Sequence, residues 1–151
     1  MPLSIRRGLP ADAAVIAEYN QRLARESEGK SLDGPTLAAG VAAVLADETR
    51  GTYYVAEEGG RVVGQLMITL EWSDWRNGWL WWIQSVYVHP DARRLGVFRA
   101  LYDHAAAEAR RRGDVAGLRL YVERDNAAAR ATYARLGMGE TGYLVLERCP
   151  L

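Results

Sequence analysis

Two stretches of this sequence gather residue types suited to an anion and to a proton. The first is Val86-Tyr-Val-His-Pro-Asp-Ala-Arg-Arg-Leu-Gly-Val-Phe-Arg99, where Arg93, Arg94 and Arg99 surround Gly96. An apolar run ends at His89-Pro90 and a helical pattern begins at Gly96, so the arginines fall in a strand-to-helix turn. The first turn of a helix offers backbone N–H groups and the positive end of its dipole, and a glycine there admits close approach of a ligand. That combination suits a diphosphate-sized anion. It is not a P-loop, which needs a second glycine and a Lys-Ser/Thr pair. The competing reading is an ordinary turn with solvated arginines.

The second stretch runs from Asn126 through Tyr133 to Gly137. Asn126 stands where a helix begins and its side-chain oxygen suits a cap. Tyr133 follows on the same face two turns later, among alanines. A phenol, with a reference pKa of about 10, keeps its proton at neutral pH and can donate it. The competing reading is a cap followed by a core tyrosine.

The elements that must carry these residues are legible from hydrophobic period and turn residues. Leu3–Arg7 alternates as a short strand, and Pro10 and Asp12 open an amphipathic helix with Val15, Ile16, Tyr19 and Leu23 on its stripe, ending at Gly29. Asp33-Gly-Pro35 turns the chain into a second helix carrying Leu37, Val41, Val44 and Leu45. Residues 51–57 and 61–70 read as strands joined by Glu58-Gly-Gly60, and Arg76-Asn-Gly78 marks the next hairpin into a strand over 79–88. Residues 96–112 read as a helix, 117–122 as a strand, 126–136 as a helix and Thr141–Glu147 as a last strand. The order β-α-α-β-β-β-α-β-α-β predicts an α/β (α+β) domain with a mixed, mostly antiparallel central sheet and helices on both faces. The helix between strands 79–88 and 117–122 implies a parallel crossover.

Bulk composition narrows the setting. A chain of 151 residues, 49% hydrophobic and 25% charged, fits a single domain over residues 1–151 with one core. Its net charge of zero argues against nucleic acid or an anionic membrane as general partners. The single cysteine, Cys149, favours a reducing compartment, and the first residues lack a secretory core, so a cytoplasmic location is expected. No apolar run is long enough to span a membrane. His89 reads as a surface residue; neither it nor His104 has neighbours in sequence that make a metal site.

Taken together, the two stretches resemble the GNAT (GCN5-related N-acetyltransferase) superfamily. Its Arg/Gln-x-x-Gly-x-Gly/Ala motif, after a Val-x-Pro turn, is similar to VHPDARRLGVF, and its Asn-x-x-Ala…Tyr-x-x-x-Gly-Phe/Met motif to Asn126, Ala129, Tyr133, Gly137 and Met138. The resemblance implies acetyl-CoA as acyl donor. Backbone N–H groups across Arg93, Arg94, Leu95, Gly96, Val97, Phe98 and Arg99 would hold its pyrophosphate, and the main chain at Val86 and Val88 would pair with its pantetheine arm. Asn126 would bond the pantetheine, and Tyr133 would act as general acid for the leaving thiolate. The chain departs from the family at Phe98, where Gly or Ala is usual. It departs again at Gln84, where polyamine-type members carry a carboxylate. Gln84 cannot take a proton, which leaves Glu71, Asp74, Glu123 or a bound water as the base.

On the acceptor side the resemblance implicates the loop between the first two helices and the middle strands. Glu26 and Glu28 lie in that loop, and Glu71, Trp72, Asp74, Trp75 and Gln84 in or after the hairpin. Aromatics beside carboxylates suit a cationic or aromatic amine. The expected function is acetyl transfer to a small-molecule amine. Protein or peptide N-acetylation and a non-catalytic acyl-CoA-binding module stand as alternatives, and a homodimer is open. All five tryptophans lie between residues 72 and 82. At least two of Trp79, Trp81 and Trp82 are expected in the core or an interface, with Trp72 and Trp75 nearer the acceptor.

Overall fold

Two hydrophobic faces and one crossover account for the arrangement. The computed structural model describes residues 2–151, which divide into two compact units, one running through Leu120 and the other Tyr121–Leu151. The first unit contains β1 (Leu3–Arg7), α1 (Ala13–Glu28), α2 (Gly34–Ala46), β2 (Thr52–Glu58), β3 (Arg61–Ser73), β4 (Gly78–Val88), α3 (Val97–Arg112) and β5 (Val115–Leu120). The strands lie side by side in the order β1-β2-β3-β4-β5. Neighbours are antiparallel through β4, while β4 and β5 are parallel. A parallel pair needs a long connection, and α3 supplies it.

Each face of the sheet has its own core. On one, α3 packs Leu101, Ala105 and Ala109 against Leu66, Ile68, Trp81 and Ile83. On the other, Ile16 and Tyr19 of α1 and Val41 of α2 pack against Tyr53, Val55 and Tyr87. The small alanines of α3 let that helix lie close to the sheet, and Gly64 of β3 receives it: a Cβ there would stand 2.8 Å from Val97 Cγ1. Local signals fix the helix ends. Asp33 accepts a hydrogen bond from the Thr36 N–H at 3.1 Å, capping α2, and Gly29 closes α1 with φ of 63°. At the other end of the sheet, Arg6 reaches both oxygens of Asp12 (2.8 and 3.0 Å) and also Glu57.

The fold class expected from sequence is the one observed, but its last strand is not formed. Residues 141–147 belong to no sheet, and Tyr143, Leu144, Val145 and Leu146 are 74%, 76%, 69% and 91% exposed. Alternating apolar residues show that a segment has faces to cover; a strand also needs a neighbour's N–H and C=O groups. The second unit otherwise consists of α4 (Ala127–Arg135), which buries none of its own residues, and the connections around it. Among the tryptophans, Trp81 is buried and Trp79 packs on the same core, while Trp82 is half-buried and Trp72 and Trp75 are exposed.

Candidate functional site

Strand β4 has two halves that differ in their neighbours. From Trp79 to Ile83 it is paired on both sides, with β3 and with β5, and the pairing with β5 stops at Ile83 opposite Leu120. Beyond that point β4 keeps β3 as its one strand neighbour. The change coincides with a bulge. Met67 pairs with Ser85 and Ile68 with Ile83, so Gln84 has no residue opposite it. The extra residue reverses the side-chain alternation. Trp79, Trp81 and Ile83 face the α3 core before the bulge, and Val86 and Val88 face it after. Gln84 is itself exposed and donates from Nε2 to Thr69 Oγ1 at 2.8 Å.

After Val88 the chain makes a short helical turn at Pro90–Ala92 and reaches α3 through Arg94 (φ 64°) and Gly96 (φ 81°). Two left-handed residues so close together form a tight entry, and a non-glycine residue there costs about 1–2 kcal/mol. The side chain of Val97, 3% exposed, pins the start of the helix to the sheet. The N–H of Ala100 donates to Gly96 O at 3.0 Å, so the N–H groups of Val97 and Arg99 precede the first intrahelical bond. Leu95 and Arg94 are exposed, Phe98 is half-buried against Tyr102, and Arg99 is paired with Asp103 at 2.9 Å.

Arg93 is not spread over this turn as a free cation. Its Nε donates to the carbonyl of Val88 at 2.9 Å and its NH2 to Glu26 Oε1 at 2.7 Å, with the guanidinium 5.4 Å from the centre of the Tyr87 ring. The hydroxyl of Tyr87 donates to the other oxygen of Glu26. Hydrogen bonds from Tyr87 and then Arg93 hold the Glu26 carboxyl below the usual range. Burial, and then the adjacent carboxylate, push the Tyr87 phenol up. Glu26, though exposed, is therefore the hub of a cluster joining the end of α1 to β4 and the arginine turn. Glu28 is exposed, 3.9 Å from Lys30.

The β3–β4 hairpin holds a second cluster. Glu71 Oε1 accepts from Trp82 Nε1 at 2.8 Å and lies 3.5 Å from Arg119 of β5, whose guanidinium is 5.9 Å from the Trp82 ring. This carboxylate is already engaged by two partners. Asp74 Oδ1 accepts from the Trp75 N–H at 3.0 Å and so shapes its own turn, while Trp72 packs edge-on against Trp79. His89 is not a surface residue: its side chain is 13% exposed and its Nε2 stands 3.0 Å from Arg61 NH2. Among the described residues no cluster of three or more His, Cys, Asp or Glu is arranged to hold a metal. None of the described helices is long and apolar enough to cross a membrane.

In the second unit, Asn126 caps α4, its Oδ1 accepting from the Ala129 N–H at 3.1 Å, so the amide NH2 is the part left for a ligand. Tyr133 is half-buried on the same helix, and burial pushes its phenol pKa up. Glu123 lies exposed in the connection before α4.

Sequence reasoning missed the bulge, Tyr87 and Arg119. The bulge had a signal, because the apolar spacing 79, 81, 83 continues as 86, 88 and an odd step marks an inserted residue. Tyr87 and Arg119 had none: Tyr87 meets a partner 61 positions away.

Comparison with known proteins gives a consistent result. The model of the Acetyltransferase (GNAT) family matches residues 15–138. The crystal structure of a possible acetyltransferase from Clostridium difficile 630 is 43% identical, covers 100% of this chain and 99% of its own, and superposes with a TM-score of 0.94. A ribosomal-protein-alanine N-acetyltransferase from Brucella melitensis biovar Abortus 2308 is 20% identical, with a TM-score of 0.79 over 97% of this chain and 99% of that one. An aminoglycoside N-acetyltransferase in complex with CoA is 14% identical, with a TM-score of 0.81 over 99% of this chain and 96% of that one. A search of the curated proteins found no match.

Proposed function

This chain belongs to the GNAT family of acetyltransferases, and on that premise we propose that it moves the acetyl group of acetyl-CoA to the primary amine of a small molecule. The observation that carries the reading is β4. Its second half has β3 alone for a strand neighbour and runs directly into a glycine-gated, arginine-bearing helix N-terminus. Those residues fit the donor. The N–H groups at the start of α3 and the exposed Arg94 suit a diphosphate, whereas Arg93 and Arg99 would first exchange Glu26 and Asp103 for it. The main chain at Val86 and Val88 suits an amide-bearing arm. Arg93 Nε now occupies the carbonyl of Val88, so pairing at Val88 exchanges one hydrogen bond for another.

Acetyl-CoA, when bound, supplies an activated thioester. The remaining roles fall to the chain. Asn126 offers its amide NH2, its oxygen being spent on the helix cap. Tyr133 holds a proton on its phenol oxygen for the leaving thiolate, and its raised pKa keeps that proton in place through neutral pH. Gln84 cannot serve as base and Glu71 is engaged by Trp82 and Arg119, which leaves Asp74, Glu123 or a water on strand carbonyls as the proton acceptor. The aromatic β3–β4 hairpin, with Trp72 and Trp75, favours a small amine over a polypeptide.

Release of free CoA against a panel of amines tests the assignment. Tyr133→Phe is expected to lower kcat about 100-fold, and Asn126→Ala to raise KM for acetyl-CoA while leaving the fold intact. Full activity in both variants would remove the assigned roles, and turnover confined to peptide substrates would remove the small-molecule acceptor.

A further inference from the structure

His89 makes two contacts that its ring cannot satisfy together. Its Nδ1 stands 3.2 Å from the Asp91 nitrogen, whose N–H it caps at the turn Pro90–Ala92, and its Nε2 stands 3.0 Å from Arg61 NH2. Both neighbours can only donate, so both ring nitrogens are required to accept. A neutral imidazole carries one proton and accepts at one nitrogen; an imidazolium accepts at neither. A proton on Nδ1 would oppose the Asp91 amide, with Asp91 Oδ2 3.7 Å away and beyond hydrogen-bond reach. The turn therefore keeps the lone pair of Nδ1, and the proton lies on Nε2. A donor then faces a donor, on a side chain only 13% exposed. An acceptor from outside the chain would satisfy both.

The charge of Arg61 is also unanswered. Glu58 lies opposite it across the β2–β3 hairpin, yet the guanidinium turns to His89, and among the described residues it forms no ion pair. Arg22 and Arg93 nearby are paired with Glu18 and Glu26. Arg61 and His89 border a recess of about 320 Å³ between α1 and the start of β3, walled also by Val15, Tyr19 and Val62. Glu18 in its wall is taken up by Arg22 at 2.6 Å, so Arg61 leaves the recess positive. The Tyr19 hydroxyl is committed, donating to the Val62 carbonyl at 2.6 Å. On its other side the same pair borders a recess lined by Glu58 and Asp91, whose charges oppose an anion.

We propose that the recess beside α1 binds a small oxyanion, a carboxylate or a phosphate, whose oxygen accepts from both His89 Nε2–H and the Arg61 guanidinium. An oxygen about 2.9 Å from each nitrogen, the ordinary hydrogen-bond distance, closes a triangle on their 3.0 Å separation. The opposed donors then make two charge-assisted bonds to one acceptor, and Nδ1 keeps its place in the turn. Val15 and Val62 suit a short apolar body on the anion. None of these residues is among those assigned to the acyl donor, and the site does not depend on the acyl acceptor or on Tyr133.

Long-range proton–nitrogen NMR spectra of the histidine rings in the full chain test the proposal, with sodium phosphate and sodium isobutyrate titrated separately at constant ionic strength. His104, which packs edge-on against Tyr54 at 5.0 Å, is the internal control. The expected result is a saturable shift of the His89 ring with a millimolar dissociation constant for at least one anion, the proton on Nε2, and no shift of His104. The tighter of the two anions assigns the ligand to the phosphates or to the carboxylates. Arg61→Gln is expected to weaken binding about tenfold or more, the scale of a hydrogen bond to a charged group. Arg61 is exposed, and a thermal melt of the variant checks that the fold is kept. Saturating acetyl-CoA is expected to leave the dissociation constant unchanged. The proposal is overturned by a response that fails to saturate with either anion or that chloride reproduces. A bound ring protonated on Nδ1, full affinity in Arg61→Gln, or loss of binding under acetyl-CoA overturns it equally.

Discussion

Gly64→Ala is the substitution that most directly couples the scaffold to the candidate anion seat. A Cβ at residue 64 would meet Val97 Cγ1 at 2.8 Å, the Tyr87 carbonyl at 3.2 Å and Leu101 Cδ1 at 3.5 Å. Ordinary carbon contacts lie at about 3.5–4.0 Å, so the first turn of α3 must retreat by roughly 0.5–1 Å, or β3 must bend away. Val97 and Leu101 are 3% and 0% exposed and have no free space to rotate into. Overpacking of this kind costs about 1–3 kcal/mol. The reduced freedom of the unfolded chain returns roughly 0.4–1 kcal/mol, leaving a net loss of about 0–2.6 kcal/mol, with a mid-range value of about 1.3 kcal/mol. For a chain of this length the mid-range loss lowers Tm by roughly 3–5 °C. The displaced N–H groups of Val97 and Arg99 should also raise KM for acetyl-CoA. Thermal melts and initial rates read both effects. Gly117→Ala is the control, since its Cβ would touch only Leu80 Cδ2 at a comfortable 3.5 Å, and it should melt at or slightly above the wild-type temperature. Equal melting temperatures and equal KM for Gly64→Ala and wild type would refute the close-contact reasoning.

Other consequences follow from single residues. Asp12→Asn should cost about 2 kcal/mol at pH 7, the scale of charged hydrogen bonds lost to Arg6. Hydrogen bonds from Arg6 lower the Asp12 pKa in the folded state. That stability is therefore complete above the unfolded value of about 4 and is lost as pH falls through the folded one; urea midpoints of the two proteins should approach each other as pH falls below about 4 and meet only below the folded-state value. Because burial raises the Tyr133 pKa, a rate profile should show no alkaline decline from this group until above pH 10, and Tyr133→Phe should remove that limb. Trp81→Ala should lose about 3–5 kcal/mol in a denaturant titration, whereas Trp75→Ala, at an 89% exposed site, should stay within about 0.5 kcal/mol of wild type.

Much of this architecture is written in local patterns. Helix ends marked by Asp33, Gly29 and Gly113 appear where those residue types predict, because caps and left-handed glycines act within a few positions. The glycine and arginines of the turn into α3 were legible for the same reason. What escaped is what depends on distant partners. Glu26 looks like a solvated helix end until Tyr87 and Arg93, 61 and 67 positions away, are folded onto it. The segment from Thr141 reads as a strand from its apolar run, yet residues 141–147 join no sheet, because the pattern supplies faces to cover and no neighbouring backbone. That at least two of Trp79, Trp81 and Trp82 enter the core was legible from helices expected on both faces of their strand, while the partners of Trp82 come from β3 and β5.

The unopposed Gln84 has a bearing on how such a sheet can change by gain or loss of residues. Side chains on either side of it keep to their faces: Ile83 and Val86 lie on the α3 side, and Tyr87 lies with α1 and α2. Removing one residue at this point would leave a regular alternation with every neighbour still facing the same way. The added residue therefore alters the course of the backbone without reassigning the core. A plain sheet and a sheet whose β4 is bulged and paired on one side only past Ile83 are separated by a single codon, and the hydrophobic pattern of the fold is compatible with both.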